Sequence, residues 1–216
     1  MLKSKKCLIS AITFLFAFVV LTILLLTVDR RAVDASGTLL GLSSINFYVL
    51  KAVGQSDVFD KITDVILLLA FLVVFSELVI ACVQAIKRKS LLKIDKEIII
   101  YNLALFVVVV LYVLFDLFPV NFRPMGTEPS YPSTHVLVVV SILISALFIS
   151  KAYIKNSKLN TAFIVLSIVL SLFVTVLRLF AGVHYLTDII GGLLLALSVS
   201  FFFAFITSKM QENTTK

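Results

Sequence analysis

The chain has two histidines, His135 and His184, and each stands where a long apolar run meets a polar connection. Arg123 shares a connection with His135, while Arg178 and Asp188 bracket His184. Ionisable groups beside long apolar runs are costly to keep, so five at one level imply a shared task. His184 and Asp188 are four residues apart, on one face of a helix that begins after Gly182. A carboxylate there can hold an imidazole in one tautomer and raise its basicity, as a nucleophilic or general-base histidine requires. Pro132, Ser133 and Thr134 precede His135 and the next apolar run, which is a helix-start signal, and free backbone N–H groups at such a start attract an anion. Two guanidinium forks, an anion-binding helix start and two histidines are most economically a phosphate pocket. Two histidines without neighbouring cysteines, and with only Asp188 and Glu128 close by, make a poor metal site, so no metal or other cofactor is expected.

The elements that position these residues follow from composition. The chain of 216 residues is 61% hydrophobic and 14% charged, with a mean hydropathy of +1.14. Such a balance excludes a soluble globular domain and a disordered chain, and two cysteines exclude a disulfide scaffold. A helix crosses the roughly 30 Å hydrocarbon core with about 20 apolar residues. Six stretches approach that length, at residues 7–28, 65–86, 98–115, 135–151, 159–177 and 189–208. The expected fold is therefore an all-α integral membrane protein, six transmembrane helices in one bundle, with residues 1–216 forming a single domain. The first stretch is too long and too poorly followed by a cleavage site for a signal peptide, and is read as a retained helix. Residues 38–54 are too short and mixed to cross, and present either an interfacial helix or an ordered loop.

Thirteen of the nineteen Lys and Arg residues fall in alternate segments: the amino terminus, the connections around Lys87–Lys96 and Lys151–Lys158, and the tail. The positive-inside rule then makes both termini cytoplasmic and turns the connections with Arg123 and Arg178 outward. The net charge of +7 is thus topology, not a nucleic-acid surface. Ser167, Ser171, Thr175 and Arg178 form a stripe at helical spacing that should face into the bundle, and Gly191 and Gly192 should let another helix approach below His184. Asp60, Lys61 and Asp64 read as a solvated helix start, Glu77 as a residue that either bonds another span or lines a cavity, and Cys7 and Cys82 as buried thiols. Tyr101, Tyr112, Tyr131 and Tyr185 read as packing or interface residues.

Pro132-Ser133-x-His135, then Arg178-x5-His184-x3-Asp188, with Arg123-Pro124 upstream, resembles the motifs of the type 2 phosphatidic acid phosphatase (PAP2) superfamily of membrane lipid phosphatases. The resemblance implies metal-independent hydrolysis of a phosphate ester or pyrophosphate. His184 would attack phosphorus with help from Asp188, and His135 would protonate the leaving oxygen and then help activate water. Arg123, Arg178, Ser133 and Thr134 would hold the phosphoryl oxygens. Three positions depart from the family pattern: Asp116 replaces a lysine, Thr134 a glycine and Leu177 a serine. The first removes a phosphate-binding cation.

The reading that follows is a lipid phosphatase of the cell membrane with an outward-facing site, whose partners are its lipid phosphate substrate and the surrounding lipids. Undecaprenyl diphosphate leads as substrate, with phosphatidylglycerophosphate and phosphatidic acid as alternatives. The rival classes are a catalytically weakened binding protein of the same fold and a small transporter.

Overall fold

The computed structural model describes residues 4–33, 37–126 and 128–214. Among these are seven α-helices: α1 (Ser4–Thr27), α2 (Ser43–Val53), α3 (Asp57–Lys87), α4 (Lys96–Leu117), α5 (Thr134–Tyr153), α6 (Ser157–Ala181) and α7 (Leu186–Thr214). All but α2 are long and apolar enough to cross a membrane, which gives the six spans expected. A two-residue antiparallel pairing, Arg31–Ala32 with Leu39–Leu40, precedes α2. Residues 38–54 thus resolve into the end of this pairing and a short helix that packs on α6 and α7.

α5 is the hub. It touches α3, α4, α6 and α7, and buries Val136, Leu137, Val139, Val140, Ile142 and Leu143, which no single helical face could hold. A helix apolar all round belongs at the centre of a bundle, and the short fourth stretch owes its burial to that place. α1 lies chiefly along α7, and α1, α3, α4 and α6 expose broad apolar faces, as a lipid-facing surface requires. Small and hydroxylated residues let these helices approach: Ser145 Oγ lies 3.2 Å from Ser200 Oγ between α5 and α7, and Ser198 Oγ donates to Ala11 O at 3.0 Å between α7 and α1.

Two glycines of α7 seat the start of α5. A Cβ at Gly192 would fall 2.7 Å from Ser133 O, and one at Gly191 would fall 2.4 Å from the Tyr131 ring. The expected close approach below His184 is therefore made by the segment that carries His135. At the opposite end of the bundle Asp95, just before α4, accepts from Gln84 and Arg88 at 2.7 Å each and from Tyr153 OH at 3.3 Å, tying α3 and α4 to α5.

α3 begins at Asp57, eight residues before the apolar stretch, so Asp60 and Asp64 lie in its first turns, at the helix start expected there. One expectation changes. Cys7 is buried, but Cys82 is exposed on the side of α3, because that position faces away from the other helices.

Candidate active site

One cleft of about 360 Å³ is lined by Leu67 and Phe71 of α3, Val109 and Tyr112 of α4, Arg123 of the α4–α5 connection, Thr134, His135 and Val138 of α5, and His184. Its polar end holds both histidines and an arginine; its other walls are aliphatic and aromatic. Such a cavity suits an amphiphile with a charged head. Tyr112, read from sequence as a packing residue, is part of this wall.

His184 sits in the turn between α6 and α7, which Gly182 makes possible by ending α6 in the left-handed region at φ +70°. Its Nδ1 faces Asp188 Oδ2 at 3.8 Å, beyond hydrogen-bond distance, and has no other partner. Asp188 is fully buried and held elsewhere: Oδ1 accepts from Asn121 Nδ2 at 3.2 Å and Oδ2 from the Tyr185 N–H at 3.0 Å. Burial pushes the His184 pKa below the ordinary imidazole range, with Arg178 and Arg123 acting the same way and Asp188 opposing them. The ring is thereby kept neutral, with a lone pair available.

His135 opens α5 as expected, one residue after the Thr134 start, and Ser133 stands fully buried at the N-cap position without a side-chain bond to the helix. The Ser133 N–H donates to Asp188 O at 2.9 Å, which ties the two histidine-bearing segments together, while Ser133 Oγ is buried without a partner. Arg123 is carried by a small antiparallel loop in which its N–H donates to Glu128 O at 3.0 Å and Ser130 N–H to Asn121 O at 2.9 Å. Its Nε stands 3.3 Å from a Glu128 carboxylate oxygen. Asp116 is not Arg123's ion-pair partner; it lines a small adjoining recess with Thr134 and Tyr131.

Arg178 is 2% exposed, and the serine and threonine stripe leading to it faces inward: Ser167 and Ser171 are buried, and Ser171 and Thr175 hydroxyls each bond the carbonyl one turn back at 2.8 Å. A buried guanidinium must be paired, and the partner is Asp60 of α3, with Thr63 Oγ1 accepting from the same Nη1 at 3.1 Å. Arg178 Nε is left unpartnered. Asp64, one turn further along α3, lies 2.9 Å from His135 Nε2. Sequence reading took Asp60 and Asp64 for a solvated helix start; both do stand near the start of α3 and stay partly exposed, and what that reading missed is their pairing with Arg178 and His135. The available signal was the spacing of Asp60, Thr63, Asp64, Leu67 and Phe71, which puts all five on one face of α3.

Asn46 is a second omission. From a fully buried position on α2 it donates to Gly41 O at 3.0 Å and to Thr187 Oγ1 at 2.9 Å, clasping the start of α7 beside His184. Among the described residues no three His, Cys, Asp or Glu side chains gather as a metal site would require. Of the two readings of Glu77, the structure has the bond to another span: it accepts from Asn102 Nδ2 at 3.1 Å.

The PAP2 superfamily model matches residues 103–212, about half of the chain and all of the polar residues named from the motifs. This chain belongs to the PAP2 superfamily. No curated protein sequence matches it. Among solved structures it is similar to one described as the first transmembrane PAP2 type phosphatidylglycerolphosphate phosphatase from Bacillus subtilis. The two share 16% identity over 96% of this chain and 98% of the other, with a TM-score of 0.65, so the likeness is one of fold. The PAP2 family match begins inside α4, which leaves Asp60, Asp64 and Asn46 outside it.

Proposed function

We propose that this PAP2 protein is a single-domain membrane phosphatase that removes phosphate from a lipid phosphate or diphosphate at the outer face of the cell membrane. The observation that carries the reading is the one cleft in which both histidines and Arg123 meet an apolar wall. His184 Nδ1 faces Asp188, so Nε2 is the atom that attacks. Its lone pair forms the N–P bond as the bond from phosphorus to the leaving oxygen breaks, and His135 supplies the proton that oxygen takes. Water then gives a proton back to His135 and attacks the phosphohistidine, releasing phosphate and restoring His184. Arg123 and Thr134, which line the cleft, and the buried, unpartnered Arg178 Nε and Ser133 hydroxyl hold the phosphoryl oxygens. No step requires a metal.

Undecaprenyl diphosphate is the leading substrate, because an outward-facing site meets a carrier lipid released on that leaflet. Phosphatidylglycerophosphate is the second reading, and a specific observation favours it: Asp60 pairs with Arg178 and Glu128 with Arg123, while Asp64 and Asp188 face the two histidines, and four acids among these groups suit a phosphate monoester better than the more highly charged diphosphate. Phosphate release from purified undecaprenyl diphosphate, phosphatidylglycerophosphate and phosphatidic acid, in the presence of chelator, tests the reading. Release from one of them is expected; binding without release from any would make the chain a non-catalytic relative. Single cysteines placed beside Arg123 and Gly182, in a Cys7→Ala/Cys82→Ser background, should react with an impermeant thiol reagent in intact cells. Labelling only after lysis would reverse the orientation.

A further inference from the structure

The two histidines of the cleft each face an aspartate, but only one of those aspartates belongs to the family-matched region. We propose that Asp64 is a positioning residue for the reaction: it holds His135 by Nε2, leaving Nδ1 to give and take the leaving-group proton. This rests on the reading of the cleft as a phosphatase site. Three observations carry it.

The first is the bond itself, 2.9 Å from His135 Nε2 to Asp64 Oδ1, between residues 71 apart in the chain. A carboxylate at that distance accepts the Nε2 proton and so selects the tautomer, or supports the imidazolium, in which Nδ1 is the free position.

The second is that the register of α3 is locked around this contact. One turn earlier Asp60 pairs with Arg178, and Thr63 bonds the same guanidinium at 3.1 Å. Just before α3 the Ser56 N–H donates to Ala181 O at 3.2 Å and Gln55 Nε2 to Gly182 O at 3.4 Å. A Cβ at residue 182 would fall 2.4 Å from Gly54 O, so Gly182 serves both the turn that carries His184 and the docking of the connection that leads into Asp60 and Asp64.

The third is the balance of charge around His135. From α3 it faces Asp64, with Asp60 behind on Arg178; from α4 Tyr112; from the α4–α5 connection Arg123; from α6 Arg178; and from the α6–α7 turn His184. A histidine that must become an imidazolium beside two guanidinium groups requires a carboxylate to offset them. Asp64 does so through its bond to His135 Nε2, while Asp60 holds Nη1 of Arg178. The Asp64 side chain is 58% exposed, so its carboxylate keeps much of its hydration while it makes the bond.

The test compares wild type with Asp64→Asn and Asp64→Leu in nanodiscs. Steady-state kinetics are measured on the best lipid phosphate of the panel, adduct formation with an activated aryl phosphate, and nitrogen-15 spectra of the labelled histidines, of which the chain has two. Asp64→Leu should lower kcat on the lipid phosphate by about 10- to 100-fold, short of the roughly 10²–10⁴ that a general acid contributes, with KM within about twofold. The adduct should form from the aryl phosphate near the wild-type rate, because its leaving group needs no proton. The His135 signals should show a smaller share of the Nε2-protonated form, with Asp64→Asn between the other two proteins. A fall in KM with kcat kept or raised would mean that Asp64 obstructs the phosphate, and would overturn the role. Equal losses on both substrates, or a His135 spectrum unchanged in Asp64→Leu while wild type is active, would overturn it as well. Wild type that neither turns over any lipid phosphate nor forms an adduct would instead overturn the phosphatase reading, and this role with it.

Discussion

His184 with Asp188 and His135 with Asp64 are two versions of one pairing, built in opposite ways. The first pair is four residues apart, almost wholly buried, and separated by 3.8 Å. The second is 71 residues apart, partly exposed, and in contact at 2.9 Å. Helix periodicity puts two side chains on one face, but it does not make them bond: Asp188 spends its oxygens on Asn121 and the Tyr185 N–H. The environments suit different work. A buried ring held neutral suits the nucleophile of the proposed reaction, and a ring at the water's edge beside a hydrated carboxylate suits its proton exchange.

The largest effects should come from removing either ring. His184→Ala should abolish both turnover and adduct with every substrate, whereas His135→Ala should lose roughly 10²- to 10⁴-fold on lipid phosphates, the usual worth of a general acid or base. His135→Ala should still be phosphorylated by an activated aryl phosphate and accumulate an acid-labile, base-stable adduct. Mapping that adduct to any residue but His184 would break the division of labour.

Asp188→Asn tests the looser pair. The His184 pKa lies below its ordinary value of 6.5 through burial, with Asp188 opposing the shift. In the proposed reaction the neutral ring attacks, so the acid limb of kcat/KM should fall below pH 6.5 in wild type and move lower still in Asp188→Asn, while the rate of adduct formation drops by about 10-fold or more. An acid limb that moves up would reverse the electrostatic argument.

Gly192→Ala tests how the two pairs are brought together. The new methyl would meet Ser133 O at 2.7 Å and Val136 Cβ at 3.2 Å, so α5 must shift against α7. A loss of about 1–3 kcal/mol, the usual cost of overpacking, should appear as a lower melting temperature in detergent, with activity reduced in the folded fraction.

The smallest effect is expected at Asp116. It stands in a recess beside the cleft and replaces a cation of the family pattern, so Asp116→Lys should lower KM for lipid phosphates by about twofold to fivefold, the worth of a partly exposed charge contact of up to about 1 kcal/mol. A disabled Asp116→Lys protein would give the acid a role of its own.

Much of this protein was legible in one dimension. The spans are apolar because a hydrocarbon core accepts nothing else, so their number could be counted, and the stripe ending at Arg178 announced its inward face by helical spacing. Gly182, Gly191 and Gly192 marked a turn and a close contact. The motifs placed both histidines in one constellation. Tertiary structure alone decided the rest. Asp60 and Asp64 look like any polar helix start, and whether they meet water or Arg178 and His135 depends on which face of α3 packs on α5 and α6. Asn46 likewise gains meaning only when α2 folds back on Thr187. Apolar length and periodicity are properties of each helix taken singly, and a chain can display them in its sequence. A bond between residues 71 or 141 positions apart depends on the rotation and register of two helices at once, which only the packed bundle fixes.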